Sequence, residues 1–473
     1  MTLLHIVFFS FIALMIAWIP SRTWRGWLLF GISILAVYLL QPEVPLRHFG
    51  FWFPTLTIIL TFLTWLTSRQ RDVRFAPADL RAFALAVGMI LALDATRWLP
   101  AGLPLIAGRA PPPASLALAL FAVFLLGWVL WRRTGRQGFF PWILIAVVVG
   151  FFVVLKWVPV GIAVSRTLRS LTGQSGELAS MSDLSWIGYS YIAFRLLHVL
   201  RDGMTGRLPE VDFPAFLTYV LFFPALVAGP IDRVERFTRE WTERPRISPG
   251  RLLQGSVRIL VGCFKKFILA DSLALVALNE INAPLIHGVG WMWILLYAYS
   301  FRLYFDFSGY TDVAIGMGIL MGFNLPENFD RPYLKTDLAA FWNSWHITLA
   351  QWFRAYVFNP FTRALRQGDF GQKIWVIILA GQLVTMTLIG LWHGVTVNFA
   401  LWGLWHALGL FVHNRWVDFR RTQKLSLLPG SFARIEPIIG GLLTFNFVSL
   451  GWVWFALPSP ELSLLVFRRL FGA

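Results

Sequence analysis

The chain has 473 residues, of which 57% are hydrophobic and only 14% charged. Soluble domains carry about 25% charged residues, so a soluble enzyme is excluded, and the net charge of +17 reads as membrane topology rather than nucleic-acid affinity. The lone Cys263 excludes an intramolecular disulfide and a cysteine-based metal site; with no histidine near it in Val-Gly-Cys-Phe, it is read as a membrane-core thiol.

Apolar runs long enough to cross or enter a bilayer core of roughly 30 Å fall at 3–18, 26–41, 51–67, 83–95, 115–131, 139–157, 213–229, 255–278, 291–305, 375–391, 396–413 and 438–457, with weaker ones at 184–200 and 308–323. They predict an all-α polytopic membrane protein of roughly 11–13 crossings or partial crossings. The first run has no basic flank and no small-residue cleavage site, so it is expected to remain as a helix. The 24 Trp and 43 Phe suit aromatic belts at both interfaces.

Arginine alternates between the first loops. Arg22 and Arg25, then Arg69, Arg71, Arg74 and Arg81, then Arg132, Arg133 and Arg136 mark three loops as cytosolic, with fewer arginines in 42–50 and 97–114 between them. The alternation breaks at 231–251, which carries six Arg; a half-membrane or re-entrant segment near 184–230 would restore it. The whole of 1–473 reads as one integral membrane domain. Residues 1–170 are spanning helices, 180–415 a core with polar motifs between apolar segments, and 436–473 a last spanning helix and tail. Irregular backbone at membrane depth is tolerated only where it is buried in protein or lines a cavity, so the core is the expected working part.

Two histidines stand out there. In 341–354, Trp342, Trp345, His346, Leu349 and Phe353 share one face of a helix by their spacing. His393 ends an apolar run between Gly390 and Gly394, where missing Cβ atoms permit close approach. Each alone also suits a structural, hydrogen-bonded imidazole. Together, with no metal-ligand spacing around either, they suggest proton handling in group transfer.

The motifs resemble those of the membrane-bound O-acyltransferase (MBOAT) family, in the bacterial branch of alginate O-acetyltransferases and teichoic-acid D-alanyl transferases. The resemblance runs over about half of the chain. It is carried by Gly188-Tyr-Ser-Tyr191 with Phe194-Arg195, Phe222-Phe-Pro224, Gly229-Pro-Ile-Asp-Arg233, Tyr304-Phe-Asp-Phe-Ser-Gly-Tyr310, Pro326-Glu-Asn-Phe329 and Arg331-Pro332. Further on it includes Phe341-Trp342 to His346, Trp352-Phe353-Arg354, Leu391-Trp392-His393-Gly394 and Phe445 to Phe455. Asn343-Ser344 stands where the family often has Arg-Arg, and Ala355 where it has Asp, so the usual carboxylate partner of Arg354 is missing. Asn343 leans to the D-alanyl side and the ending Ser449 to Phe455 to the acetyl side.

The resemblance implies a ring of tilted or re-entrant helices around a central tunnel in a bacterial inner membrane. It implies acyl transfer, acetyl first and D-alanyl second, from a cytosolic thioester such as acetyl-coenzyme A or an acyl carrier protein. The acceptor is a hydroxyl of an exported polysaccharide or an extracytoplasmic partner protein, with no bound cofactor, no metal and no nucleic acid. His393 is expected as base and His346 as the group that orients the acceptor or donates to the oxyanion. Asn343, Trp342, Trp345, Arg354, Tyr310 and Trp392 are expected to line the tunnel, and Arg233, Arg236 and Arg239 to meet donor phosphates unless they only anchor the loop.

Three other readings have some support. His413 and Asp418 match the His-x4-Asp pattern of glycerolipid acyltransferases by two residues alone. A transporter of lipid-linked saccharide suits many broken helices, although no inverted repeat is visible. A non-catalytic scaffold leaves both histidine motifs without a use. His198 and Asp202 are read as a helix-end pair.

Overall fold

The structure, a computed structural model, describes residues 2–69, 75–98, 106, 110–135, 138–243, 248–368, 373–423 and 435–472. Arg71, Arg74, Arg136, Arg244 and Arg246 of the basic loops lie outside these. Among the described residues the chain is helical, with one isolated β-bridge, Phe329 to Trp345, and no strand. It forms two compact units, one of residues 1–259 with 313–325, the other of 260–312 with 326–473.

Four described helices are long and apolar enough to cross a bilayer: Phe49–Ser68, Pro113–Thr134, Ile374–His393 and Glu436–Ala456. A fifth span is counted if Phe140–Lys156 and Val158–Leu171, bent by 100° at Trp157, are taken together. The 11–13 expected crossings or partial crossings also include shorter and interrupted apolar segments, such as Leu3–Ala17 and Phe213–Ala225. Phe213–Leu221 stops after nine residues and passes into a 3-10 turn, so 213–229 is not one span. The separate runs 291–305 and 308–323 are one 33-residue helix, Val289–Met321, interrupted by polar side chains rather than by the backbone. Pro113–Thr134 exposes Leu118, Phe121, Leu125 and Leu126 along its length, the surface expected where lipid replaces water.

In the first unit, Phe49–Ser68 is the most enclosed of these helices. Its buried Thr55, Thr57 and Thr61 hydroxyls donate to carbonyls one turn back at 2.7–3.0 Å, which pairs these three within the apolar interior. Arg195 is almost wholly buried and donates to the carbonyls of Val220 and Ala225, both at 2.7 Å. It thereby supplies donors to the frayed end of Phe213–Leu221, whose last carbonyls have no helical partner. Asp183 accepts from Arg169 at 2.6 and 2.7 Å and from Ser165 at 2.5 Å, a buried pair with its oxygens engaged.

In the second unit, Ile374–His393 turns at Gly394 into Val397–Gln423, and the two pack as an antiparallel hairpin. Their approach depends on glycine. A Cβ at Gly390 would collide with the Phe399 carbonyl, and one at Gly403 with the Met386 carbonyl. Backbone cannot yield as a side-chain tip can, so these two positions set the distance between the helices. Glu436–Ala456 packs on Val397–Gln423 and brings Trp452 and Phe455 to the end of the hairpin that carries His393.

Candidate active site

The face predicted for 341–354 is not one helix. Leu338–Trp342, capped by Asp337 on the Ala340 N–H at 2.8 Å, ends at Trp342, and a new helix, Ile347–Phe353, begins after His346. His346 takes φ 43°, in the left-handed region, which costs a β-substituted residue of order 1–3 kcal/mol and persists only where the surroundings impose it. They do so here. The segment from Pro326 is laced to this break: Ile347 N–H donates to the Asn328 carbonyl and Asp330 N–H to the Ser344 carbonyl, both at 3.0 Å. Phe329 bridges to Trp345. The Lys335 ammonium, 2.7 Å from Asp330, holds that carboxyl below its usual range, with Arg331 adding to the effect.

Asn328 is fully buried, and its side-chain oxygen takes the Thr348 hydroxyl at 2.6 Å and the Thr348 N–H at 3.2 Å. A backbone N–H can only donate, so this contact identifies the amide oxygen without ambiguity. The same oxygen lies 3.3 Å from His346 Nδ1. An oxygen acceptor there requires the proton on Nδ1, and in a neutral imidazole the lone pair is then on Nε2. His346 is 4% exposed, and Nε2 has no hydrogen-bond partner among the described residues. The ring is held edge-on by Phe307 at 4.6 Å between centroids and contacts Trp392 at 6.2 Å.

Trp392 also contacts His393, at 4.5 Å, and so lies against both imidazoles. His393 is half-buried at the C-terminus of its helix, with Phe455 at 4.7 Å, Trp402 at 5.8 Å and Phe399 at 5.9 Å. Trp345 packs between Phe341 and Trp452, and Trp342 against Trp402 and His406. Tyr310 is buried one turn beyond Phe307 on Val289–Met321. Asn343 and Arg354 are exposed and meet each other: the guanidinium donates to the Asn343 side-chain oxygen at 2.7 Å. The two departures from the family motif are therefore linked, since the amide at 343 takes the guanidinium that has lost its carboxylate.

The three arginines at 233, 236 and 239 belong to the other unit. Arg236 is paired with Asp232 at 2.7 Å, while Arg233 and Arg239 are exposed. The His-x4-Asp alternative has no geometric basis, because His413 faces Asp337 at 3.5 Å and Asp418 pairs with Arg415 at 2.6 Å. His198 lies against Tyr219, with its Nδ1 3.4 Å from the phenol oxygen. Asn328 and His406 carry weight that residue-by-residue reading missed. Asn328 stood inside the Pro326–Phe329 motif, a signal without an assigned role. His406 had no signal beyond being an ionisable residue in an apolar helix.

These features define an all-helical membrane protein in which buried imidazoles, one held against an amide oxygen, sit among aromatic side chains. The family model for MBOAT, membrane-bound O-acyltransferase, matches residues 142–434. The chain belongs to that family and is an acyltransferase. It is similar to a teichoic acid D-alanyltransferase of Streptococcus thermophilus, 30% identical over 59% of this chain and 69% of the relative. A probable alginate O-acetylase of Pseudomonas syringae is 34% identical over 61% of this chain, and the match spans about half, 51%, of that relative. A peptidoglycan O-acetyltransferase of Helicobacter pylori is 32% identical over 58% of this chain and 50% of the relative.

Proposed function

We propose that the protein transfers a small acyl group, acetyl in the first instance, from a thioester on the cytosolic side of a bacterial inner membrane to a hydroxyl of an exported envelope polysaccharide or of an extracytoplasmic partner protein. The relatives named for O-acetylation of alginate and peptidoglycan support the acyl group and the class of acceptor. The observation that carries the chemistry is the contact of His346 Nδ1 with the Asn328 side-chain oxygen at 3.3 Å, which favours the proton on Nδ1 and leaves Nε2, without a partner among the described residues, as the acceptor.

That tautomer exchanges the roles expected from the motifs. Neutral His346 has no Nε2 proton to give to an oxyanion, so it acts as base. The acceptor hydroxyl attacks the thioester carbon and gives its proton to His346 Nε2. The C–O bond forms, the C–S bond breaks, and the proton returns from Nε2 to the departing sulfur. His393 donates to the oxygen on which charge develops, a contribution typically of about 3–4 kcal/mol. Trp342, Trp392 and Trp402 keep water from the thioester. Asn343 and Arg354 form the exposed polar edge.

Membranes carrying His393→Ala are expected to lose about 100- to 1,000-fold in acyl transfer, the effect of losing one oxyanion donor. A wild-type rate in those membranes contradicts the site.

D-alanyl transfer to teichoic acid from a carrier-protein thioester is the second reading. It is favoured by relatives with that name, matched over 69% and, in Bacillus subtilis, 85% of their length. Competition between acetyl-coenzyme A and a D-alanyl carrier thioester for labelled product separates the two.

A further inference from the structure

Three rings with buried N–H groups that lack a partner among the described residues touch one another in the second unit. His406 is 0% exposed, and neither ring nitrogen has a hydrogen-bond partner among the described residues. The indole nitrogens of Trp342 and Trp402 are also buried without a partner among those residues. The rings are in mutual contact: His406 lies 5.1 Å from Trp342 and 4.9 Å from Trp402, and the two indoles are 5.8 Å apart. Neighbouring indoles differ. Trp405 donates to the Phe447 carbonyl at 3.0 Å and Trp452 to the Tyr333 hydroxyl at 3.2 Å.

A buried donor without an acceptor costs about 1–3 kcal/mol, and native interiors leave few such groups. Neutral imidazole always carries one N–H, so the cluster offers three donors.

We infer that Trp342, Trp402 and His406 frame a subsite for the carbonyl oxygen of the acyl group, an assignment that rests on the acyl-transfer function proposed above. The three side chains are aromatic and buried, surroundings that suit a short acyl chain. A sugar hydroxyl would have to bring its hydroxylated ring into the same enclosure. Trp402 also touches His393 at 5.8 Å, so the subsite adjoins the imidazole assigned to the developing oxyanion. His406 binds the acyl group in this account and takes no proton.

The test uses the full-length protein in vesicles, with acetyl-coenzyme A as donor and a carbohydrate acceptor. His406→Phe keeps an aromatic ring and removes the donor, Trp402→Phe does the same for the indole, and His406→Gln restores an N–H. The expected result is a rise of about 10-fold in the donor KM for each Phe variant. The acceptor KM stays unchanged, and His406→Gln recovers part of the loss. An unaltered donor KM in both Phe variants, a change confined to the acceptor KM, or equal losses in His406→Phe and His406→Gln overturns the subsite. Because His346→Gln is run beside them, its inactivity against full activity of both Phe variants rejects the subsite and leaves the proposed function standing. Wild-type vesicles that transfer no acyl group remove the function itself.

Discussion

Replacing His346 by glutamine lowers the acyl-transfer rate by about 100- to 10,000-fold, the range typical for a positioned general base. Glutamine is close in size and keeps polar atoms in the break between Leu338–Trp342 and Ile347–Phe353, so the fold is expected to survive, as an unchanged thermal midpoint in detergent would show. The same reasoning extends to the residue that sets the tautomer. Asn328→Leu removes the acceptor for His346 Nδ1 and also leaves the Thr348 N–H and hydroxyl without the side-chain oxygen that takes them. Activity and stability should both fall. Asn328→Asp keeps an oxygen acceptor at Nδ1 and should retain more activity than Asn328→Leu. If the two variants are equally inactive at equal stability, Asn328 does not act by holding the Nδ1 proton.

Gly390→Val has the second large effect, and it acts through packing. A Cβ at 390 meets the Phe399 backbone carbonyl, and its first atom alone is too close. Overpacking of this kind costs about 1–3 kcal/mol, and the relief available is separation of Ile374–His393 from Val397–Gln423. His393 lies three residues further along the first helix, and Phe399, Trp402 and His406 are on the second. Separation therefore displaces His393, the imidazole proposed as donor, from the aromatic groups around it. The expected result is a lower thermal midpoint together with a loss of activity larger than the stability change alone explains. Gly150, where an added Cβ meets nothing within 4 Å, provides the control: Gly150→Ala should lower neither.

The class of fold was legible because hydropathy needs no long-range information. Ile374–His393 and Glu436–Ala456 lie within a few residues of the runs 375–391 and 438–457. The breaks were harder. Trp342, Trp345, His346, Leu349 and Phe353 have good helical spacing, and nothing within 341–354 announces a left-handed residue at 346. The cause lies 18 to 20 residues earlier, where Asn328 captures the Ile347 and Thr348 N–H groups. Phe213–Leu221 likewise stops where Arg195, from the preceding helix, supplies donors to its end. Both effects pair a backbone group with a distant side chain or carbonyl, which periodicity does not register.

The two histidine motifs were visible as ionisable groups in apolar surroundings, and the order of the flanking motifs suggested acyl transfer. The division of labour proposed for them was not visible. It depends on which nitrogen of His346 carries the proton, and that follows from one side-chain oxygen and one backbone N–H. The surroundings of His406 were hidden for a related reason, since Trp342, Phe447 and Trp452 come from other helices.

The decisive measurement is transfer of a labelled acyl group from a thioester to a carbohydrate hydroxyl by the purified protein in vesicles, wild type beside His346→Gln. Labelled product is expected from the wild type, with a rate at least about 100-fold lower for the variant. Equal rates from the two proteins would contradict the role proposed for His346.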